Sequence, residues 1–215
     1  MSELKTEHTE VRRTPERGSY DREVVNEILD EGIVAHVGLV SRDRPVVIPM
    51  VYGRDGDVLY LHGSPASRLM RASKGGTQLC VTVTLLDGLV LARSPLHHSA
   101  NFRSVVVMGE ATEVTDLDEK SRVLDLITDH VVPGRMAEVR PNTEKELRAT
   151  LVVSLPIDEA SAKIRTGPPV DDEEDYALDH WAGVIPLGIS VGEPEPDPRL
   201  TPGISTPPHV TDWSR

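Results

Sequence analysis

Short runs in which apolar and polar residues alternate dominate the first half of the chain. Between residues 33 and 40 apolar side chains recur at every second position, which is the spacing of a half-buried strand. Asp-Gly pairs at 55–56 and 87–88 each lie between two such runs and suit tight hairpin turns. We therefore expect strands at 33–40, 45–52, 58–62, 79–86, 89–93 and 105–114.

Helical patterns precede and follow this strand-rich part. Apolar residues at helical spacing predict a helix over 21–31, and Gly32 suits its end. Two further helices are expected where a capping residue is followed three positions later by Glu, and these pairs are Asp116 with Glu119 and Thr143 with Glu146.

Strand patterns return after the helices, at 151–157, 162–165 and 181–187. Many strands joined by short turns, with few helices, favour a closed or nearly closed antiparallel barrel. No glycine-rich phosphate loop follows the first strand, which argues against a doubly wound α/β sheet. We expect a mostly β fold with peripheral helices, in which residues 33–114 form most of the barrel and 151–187 complete it around a helical insert at about 116–149.

The two ends of the chain differ from this central domain, which we place at 19–190. Residues 1–18 form a polar arm that is ordered only if it docks on something. Residues 191–215 are rich in proline, so we expect no regular helix there but an extended segment on a surface, or disorder.

Acidic residues outnumber basic ones, with 35 Asp and Glu against 23 Lys and Arg and a formal charge of −12. Such a surface repels phosphate backbones and anionic lipid, so neither nucleic acid nor a membrane is an expected partner. The N-terminus lacks the apolar core of a secretory signal, and no apolar stretch approaches the ~18–20 residues that span a bilayer. The single cysteine, Cys80, excludes an intramolecular disulfide. These features predict a cytoplasmic protein.

The segment 60–68 has the strongest pattern for a ligand site. A strand ends at Gly63, and a Ser-Pro pair leads into a predicted helix that begins at Pro65. A helix start presents free N–H groups, to which Ser64, Ser67 and Arg68 add hydroxyls and a two-pronged cation. These groups suit a phosphate, although an ordinary capped helix with an exposed arginine is the alternative.

A second polar segment, residues 93–103, joins two predicted strands and is rich in hydrogen-bond donors. Its neighbouring His97 and His98 point apart on extended chain, so their spacing alone makes no metal site. A hydrogen-bonded loop without a ligand is the alternative here. The Gly63-Ser64-Pro65 segment lacks the G-x-S-x-G elbow, and no Ser, His and Asp set is organised by motif, which favours a cofactor that carries its own reactivity.

Several blocks, in order, resemble the FMN-binding split-barrel proteins related to pyridoxamine 5′-phosphate oxidase. The closer similarity is to their flavin-nucleotide-binding branch, which includes relatives of nitroimidazole-resistance proteins. The resemblance extends from about Arg12 to Leu187. The blocks are RDGDVLYLHGS at 54–64, ASR at 66–68, DGLVLAR at 87–93, NFRSVV at 101–106 and WAGVIPL at 181–187.

This resemblance implies a six-stranded split barrel and a homodimer with FMN bound at the subunit interface. The flavin ring is expected against the second and third strands, and its phosphate on the Ser, Arg or Lys residues that follow the third. The cofactor-binding residues that the resemblance implies are Pro49, Met50, Val51, Tyr52, His62, Ser64, Ser67, Arg68, Lys74, Arg93, Asn101, Arg103 and Trp181.

An FMN-dependent oxidoreductase that passes electrons from a nicotinamide donor to a small acceptor is therefore the leading hypothesis. The alternatives are a non-catalytic flavin buffer, a deazaflavin-dependent reductase, and a haem-binding or haem-degrading protein. For haem, the candidate axial ligands are His62, His97 and His98. The substrate-phosphate residues of true pyridoxamine phosphate oxidases have no counterparts here, so synthesis of pyridoxal phosphate is not expected.

Overall fold

Antiparallel strands make up most of the computed structural model, which describes residues 4–73 and 75–214. The strands are β1 Gly18–Ser19, β2 Val34–Ser41, β3 Arg44–Asp55, β4 Val58–Gly63, β5 Thr77–Leu91, β6 Ser99–Glu113, β7 Leu151–Pro156, β8 Glu159–Arg165 and β9 Gly183–Pro186. The helices are α1 Arg22–Glu31, α2 Arg68–Ser73, α3 Leu117–Val131, α4 Glu144–Ala149 and α5 Pro208–Thr211.

Six of the strands close into a ring. Around it the order is β6, β7, β4, β3, β2 and β5, and β5 pairs with β6 to complete the circle. On the outside of the ring, β8 and β1 extend the sheet from β6, and β9 pairs with the last part of β5. The predicted six-stranded antiparallel barrel is confirmed.

Alternation along the ring strands fills the barrel with aliphatic side chains. In β2, His36 and Val40 are exposed, whereas the residues that alternate with them are buried, namely Ala35, Val37 and Leu39. The short helix α2 adds Leu69 and Met70 to the same core. Burial of a Leu or Met side chain contributes about 1.5–3 kcal/mol, so these contacts hold α2 against the barrel.

The predicted starts of α1, α3 and α4 are confirmed. Asp21 and Asp116 each accept a hydrogen bond from a backbone N–H in the first turn of α1 and α3. At α4, Thr143 and Glu146 form the complete capping box that their spacing predicts. Each cap satisfies an N–H group that the helix itself leaves without a partner.

The two Asp-Gly pairs have different structures. Asp55-Gly56 forms the predicted hairpin turn between β3 and β4, with Gly56 at a φ of 54°. The prediction of a second hairpin at 87–88 is wrong, because β5 runs through this pair with a bulge. A Cβ on Gly88 would lie 3.0 Å from the carbonyl oxygen of Ile185. Glycine is therefore required here for the close approach of β9.

The interpretation of residues 93–103 as a loop is only partly right. A short 3-10 turn covers Pro95–His97, but β6 already begins at Ser99. Phe102 pairs with Leu86 of β5 on one side and with Arg165 of β8 on the other. The polar side chains that made this stretch resemble a loop instead form hydrogen bonds and ion pairs beside a strand.

Both ends of the chain dock on the barrel domain. In the N-terminal arm, Leu4 is buried in the main core and its carbonyl accepts a hydrogen bond from the N–H of Ala160. In the C-terminal tail, the indole N–H of Trp213 donates to the carbonyl of Val131 over 2.8 Å. The expectation that the tail has no helix is wrong for one turn, α5, where Pro208 occupies a first-turn position that tolerates proline.

Among the described residues, no helix is both long enough and apolar enough to cross a membrane.

Helix α3 packs against the outside of β3 and β4 over a second apolar cluster. The cluster consists of Tyr60, Val123, Ile127 and Val152. The close approach depends on Gly53, because a Cβ at this position would lie 3.0 Å from Ile127 Cγ1 and 3.2 Å from Ile127 Cα. The backbone of α3 would have to move to accommodate it.

We therefore expect Gly53→Ala to lower the free energy of unfolding by about 1–3 kcal/mol, the usual cost of overpacking. Gly188→Ala is the matched control, since nothing lies within 4 Å of a Cβ at that position. Urea unfolding followed by circular dichroism measures both variants. Equal stability of the two variants would show that α3 adjusts its position freely.

Candidate functional site

The segment between β4 and α2 holds two serine hydroxyls whose hydrogen atoms are free to donate. Helix α2 begins at Arg68, three residues later than the predicted start at Pro65. Ser67 Oγ accepts from the N–H of Met70, and Ser64 Oγ accepts from the N–H of Ala66, each over 3.2 Å. Since a hydroxyl can accept and donate at once, both can still bind an anion. A phosphate site here depends on side chains rather than on a helix terminus, because α2 has only six residues.

Four arginines line a groove of about 630 Å³ between the β2–β3 turn and α2. We call it the arginine groove, and it is lined by Ser41, Arg42, Arg44, Val46, Arg68, Arg71 and Ala72. No hydrogen bond or ion pair joins the side chains of the four arginines to any residue that the structure describes. No carboxylate is among the lining residues, although acids exceed bases in the whole chain by 35 to 23.

The sequence pattern predicted only the α2 side of this groove. Arg68 was predicted from its position after β4, and Arg71 follows on the same face of α2. Arg42 and Arg44 were missed, because they lie in a different hairpin and no local motif connects them with α2. Lys74, which was also predicted to bind phosphate, lies outside the described residues.

Of the four predicted residues in β3, two point away from the core. Pro49 lies on the outer face beside His36, and Val51 lies beside Val34. Met50 packs against the main core, and Tyr52 is fully buried with its hydroxyl donating to the carbonyl of Leu29. A ligand outside the barrel can therefore contact Pro49 and the part of Val51 that α3 leaves exposed, since Val51 also packs against the cluster under α3. Met50 and Tyr52 support the strand from within.

His62 lies next to Val51 on this outer face, since Leu61 pairs with Tyr52. Its ring is half-buried, and its Nδ1 is buried without a hydrogen-bond partner among the described residues. Burial lowers the pKa of His62 below the ordinary value for histidine. The imidazole is therefore neutral at pH 7, and it has one nitrogen whose partner must come from outside the described chain.

The predicted residues of the 93–103 segment are bound to other parts of the same chain. Arg93 pairs with Asp171, whose carboxylate is fully buried. Asn101 donates to the carbonyl of Gly167 over 3.1 Å. Each of these contacts joins the β5–β6 end of the barrel to the segment that follows β8.

Arg103 forms ion pairs with both Glu31 and Asp87. Hydrogen bonds to Glu31 and then to Asp87 raise the pKa of its guanidinium above the ordinary value. Arg103 thus links α1 to β5 and remains positively charged.

These residues lie far from the arginine groove within one chain. Both positions can be located along β5. The register of β2 with β5 places Ser41, at the groove, beside Thr77 at the start of β5, whereas Arg103 pairs with Leu85 further along the same strand. Eight residues of strand separate these levels, or roughly 26 Å. Trp181 lies just before β9, and its side chain is exposed. One copy of the chain therefore does not bring all the predicted site residues together.

A second cleft, of about 410 Å³, lies beside His97 and His98. His98 Nδ1 is 2.9 Å from the carbonyl oxygen of Ser94, which leaves its Nε2 free. His97 Nε2 is buried and lies 3.3 Å from a carboxylate oxygen of Asp172, without the alignment of a hydrogen bond. Arg13 and Arg17 line the same cleft. Among the residues described, no group of three or more His, Cys, Asp or Glu side chains could hold a metal ion.

Comparison with known proteins supports the fold. The chain is similar over 97% of its length to a flavocytochrome from Azotobacter vinelandii, with 45% identity, a TM-score of 0.92 and 97% of that chain covered. It is similar over 91% of its length to an FAD- and haem-binding protein from Mycobacterium smegmatis, with 41% identity, a TM-score of 0.87 and 96% of that chain covered. No curated protein sequence matches it.

A more distant structural similarity concerns the fold alone. It is to a Bacteroides thetaiotaomicron structure assigned to 5-nitroimidazole antibiotic resistance, with 24% identity, a TM-score of 0.58, and 68% of this chain and 86% of that chain covered. The sequence profile described as pyridoxamine 5′-phosphate oxidase matches residues 21–164. With this match across most of the barrel, the chain belongs to the flavin-binding split-barrel family of pyridoxamine 5′-phosphate oxidase.

Proposed function

We propose that this protein is an oxidoreductase that binds a flavin nucleotide with its phosphate in the arginine groove. The observation that carries the proposal is the group of four arginines without partners in a chain of net charge −12. Cations held close together repel one another, and a bound dianion offsets that repulsion. Arg68, Ser64 and Ser67 then form the wall that binds the 5′-phosphate of the flavin.

The outer face of β3 and β4 fits the flavin ring. Pro49 and the exposed part of Val51 provide an apolar surface next to α3, and His62 beside them has a buried Nδ1 with no partner among the described residues. A bound flavin supplies the redox chemistry, and the protein binds it, orients it and limits the access of water. Electrons from a nicotinamide donor would pass to a small acceptor at this face.

A homodimer accounts for the separation of the predicted site residues. The outer face of β2 and β3 leaves Val40 70% exposed and Val47 63% exposed, beside the exposed Pro49. Contiguous exposed apolar residues of this kind mark interaction surfaces. If a second copy covers this face, its 93–103 segment can reach the flavin that Pro49 and Val51 contact. We propose this arrangement, with the cofactor between the two subunits.

A second cofactor, haem, is favoured by the cleft beside His98. Two relatives above 40% identity are a flavocytochrome and an FAD- and haem-binding protein. A histidine that ligates a metal usually holds its other ring nitrogen against a carbonyl or carboxylate, as His98 does with Ser94. Leu96 and Val170 are exposed apolar residues in this cleft, and Arg13 and Arg17 suit the propionates. We propose His98 as the axial ligand.

Arg68→Ala tests the flavin-phosphate site. We expect FMN affinity to fall about tenfold to a hundredfold, because a charge-assisted hydrogen bond contributes about 1.5–3 kcal/mol. Riboflavin has no phosphate and should bind wild type and variant equally. Arg199→Ala, an exposed arginine outside the groove, is the control for net charge. Flavin fluorescence titration measures all three proteins. Equal losses for FMN and riboflavin would mean that Arg68 supports the fold.

Haem titration followed by the Soret band tests the axial ligand. We expect His98→Ala to remove the Soret shift that the wild type shows on binding haem, because the iron loses its protein nitrogen. His62→Ala and His97→Ala should retain that shift. Its loss in His62→Ala alone would place haem at the outer sheet face instead.

Val47→Glu tests the homodimer. A carboxylate within an apolar interface is costly to desolvate, so we expect the mass by light scattering to fall from dimer to monomer, together with flavin affinity. Ile204→Glu is the control, since Ile204 in the tail has a similar exposure of 57% against 63%. A wild-type monomer with flavin bound would contradict the proposed interface.

A further inference from the structure

The β2–β3 hairpin turns through two residues that are unusual in this position. Ser41 pairs with Arg44, so the turn consists of Arg42 and Asp43. Their φ angles are 51° and 59°, which is the left-handed region. Turns of this kind normally contain Asn-Gly or Asp-Gly, because glycine enters that region without steric cost. At the β3–β4 hairpin, where Asp55 pairs with Val58, the residue with positive φ is Gly56, whereas the β2–β3 turn has an arginine in that conformation.

The strained turn holds two cations in the arginine groove. Arg42 and Arg44 line it from the hairpin, opposite Arg68 and Arg71 on α2. Asp43, at the tip of the turn, is exposed and is not part of the lining. Strained backbone conformations are retained mainly where they position a functional group. The strained turn therefore points to a functional role for Arg42 and Arg44.

One phosphate does not account for both walls. In the proposed function, the flavin 5′-phosphate binds Ser64, Ser67 and Arg68 on the α2 side. The hairpin arginines across the groove are then left with no anionic partner. Two phosphates in succession match two walls of cations, since each guanidinium binds phosphate oxygens with its planar set of donors.

We propose that Arg42 and Arg44 bind the second phosphate of a flavin dinucleotide and so select FAD over FMN. This inference rests on the proposed function and adds a specificity role that the α2 side alone does not provide. Arg71, on the α2 wall with Arg68, adds positive charge near both phosphates.

The test is the affinity of Arg42→Ala/Arg44→Ala for FAD, FMN and riboflavin at fixed ionic strength. We expect FAD affinity to fall at least about a hundredfold, because two charge-assisted contacts are lost. FMN affinity should fall by less than about tenfold, because FMN loses only the attraction of nearby positive charge, and riboflavin affinity should stay unchanged. The matched control is Arg12→Ala/Arg199→Ala, which removes the same charge from exposed positions outside the groove.

The outcomes separate this inference from the proposed function. If wild type binds no flavin, the proposed function itself is wrong. If wild type binds FAD and FMN but the double variant keeps its FAD affinity, or loses affinity for both equally, the selection role is overturned.

Arg42→Gly is a second test, and it removes one positive charge where the double variant removes two. Glycine relieves the positive φ, so we expect a higher midpoint of thermal unfolding together with a larger loss of FAD affinity than of FMN affinity. A stabilised variant that retains wild-type FAD affinity would show that Arg42 is not required for selection.

Discussion

The pairing of β5 with β6 is the contact on which the rest of the structure depends. These two strands run side by side from Thr77 opposite Ala111 to Val90 opposite Ser99, and they close the ring of six. The pairing also carries β8 and β9 on the outside of the barrel. Because it is so long, it separates the arginine groove at one end from the 93–103 segment at the other. One copy of the chain therefore does not bring these two regions together, which is why we propose a homodimer.

Uncompensated positive charge is the second constraint. Elsewhere in the described chain, arginines such as Arg54, Arg103 and Arg122 are paired with carboxylates. The four in the groove are not, although the protein has an excess of acids. An acidic protein that binds an anionic cofactor needs a local positive region, and the general negative field limits where such a cofactor can bind. The groove satisfies that need.

Local rules predicted most of the barrel. Alternation gave the ring strands, and capping residues such as Asp116 and Thr143 gave the helix starts. The errors arose where distant chain segments meet. Gly88 was assigned to a hairpin because nothing nearby in sequence indicates that β9 will pack against it. Arg42 was missed for the same reason, since only the closed barrel brings its hairpin to α2. Sequence reasoning thus predicted one wall of the candidate site but not the other.

The central claim is that the arginine groove binds the phosphate of a flavin nucleotide. An experimental structure of the flavin-loaded protein tests it most directly, through the distance from the phosphate oxygens to the nearest guanidinium nitrogens. We expect about 2.7–2.9 Å to Arg68, the length of a charge-assisted hydrogen bond. A phosphate bound instead among the residues of the 93–103 segment, with the groove filled only by solvent, would contradict it.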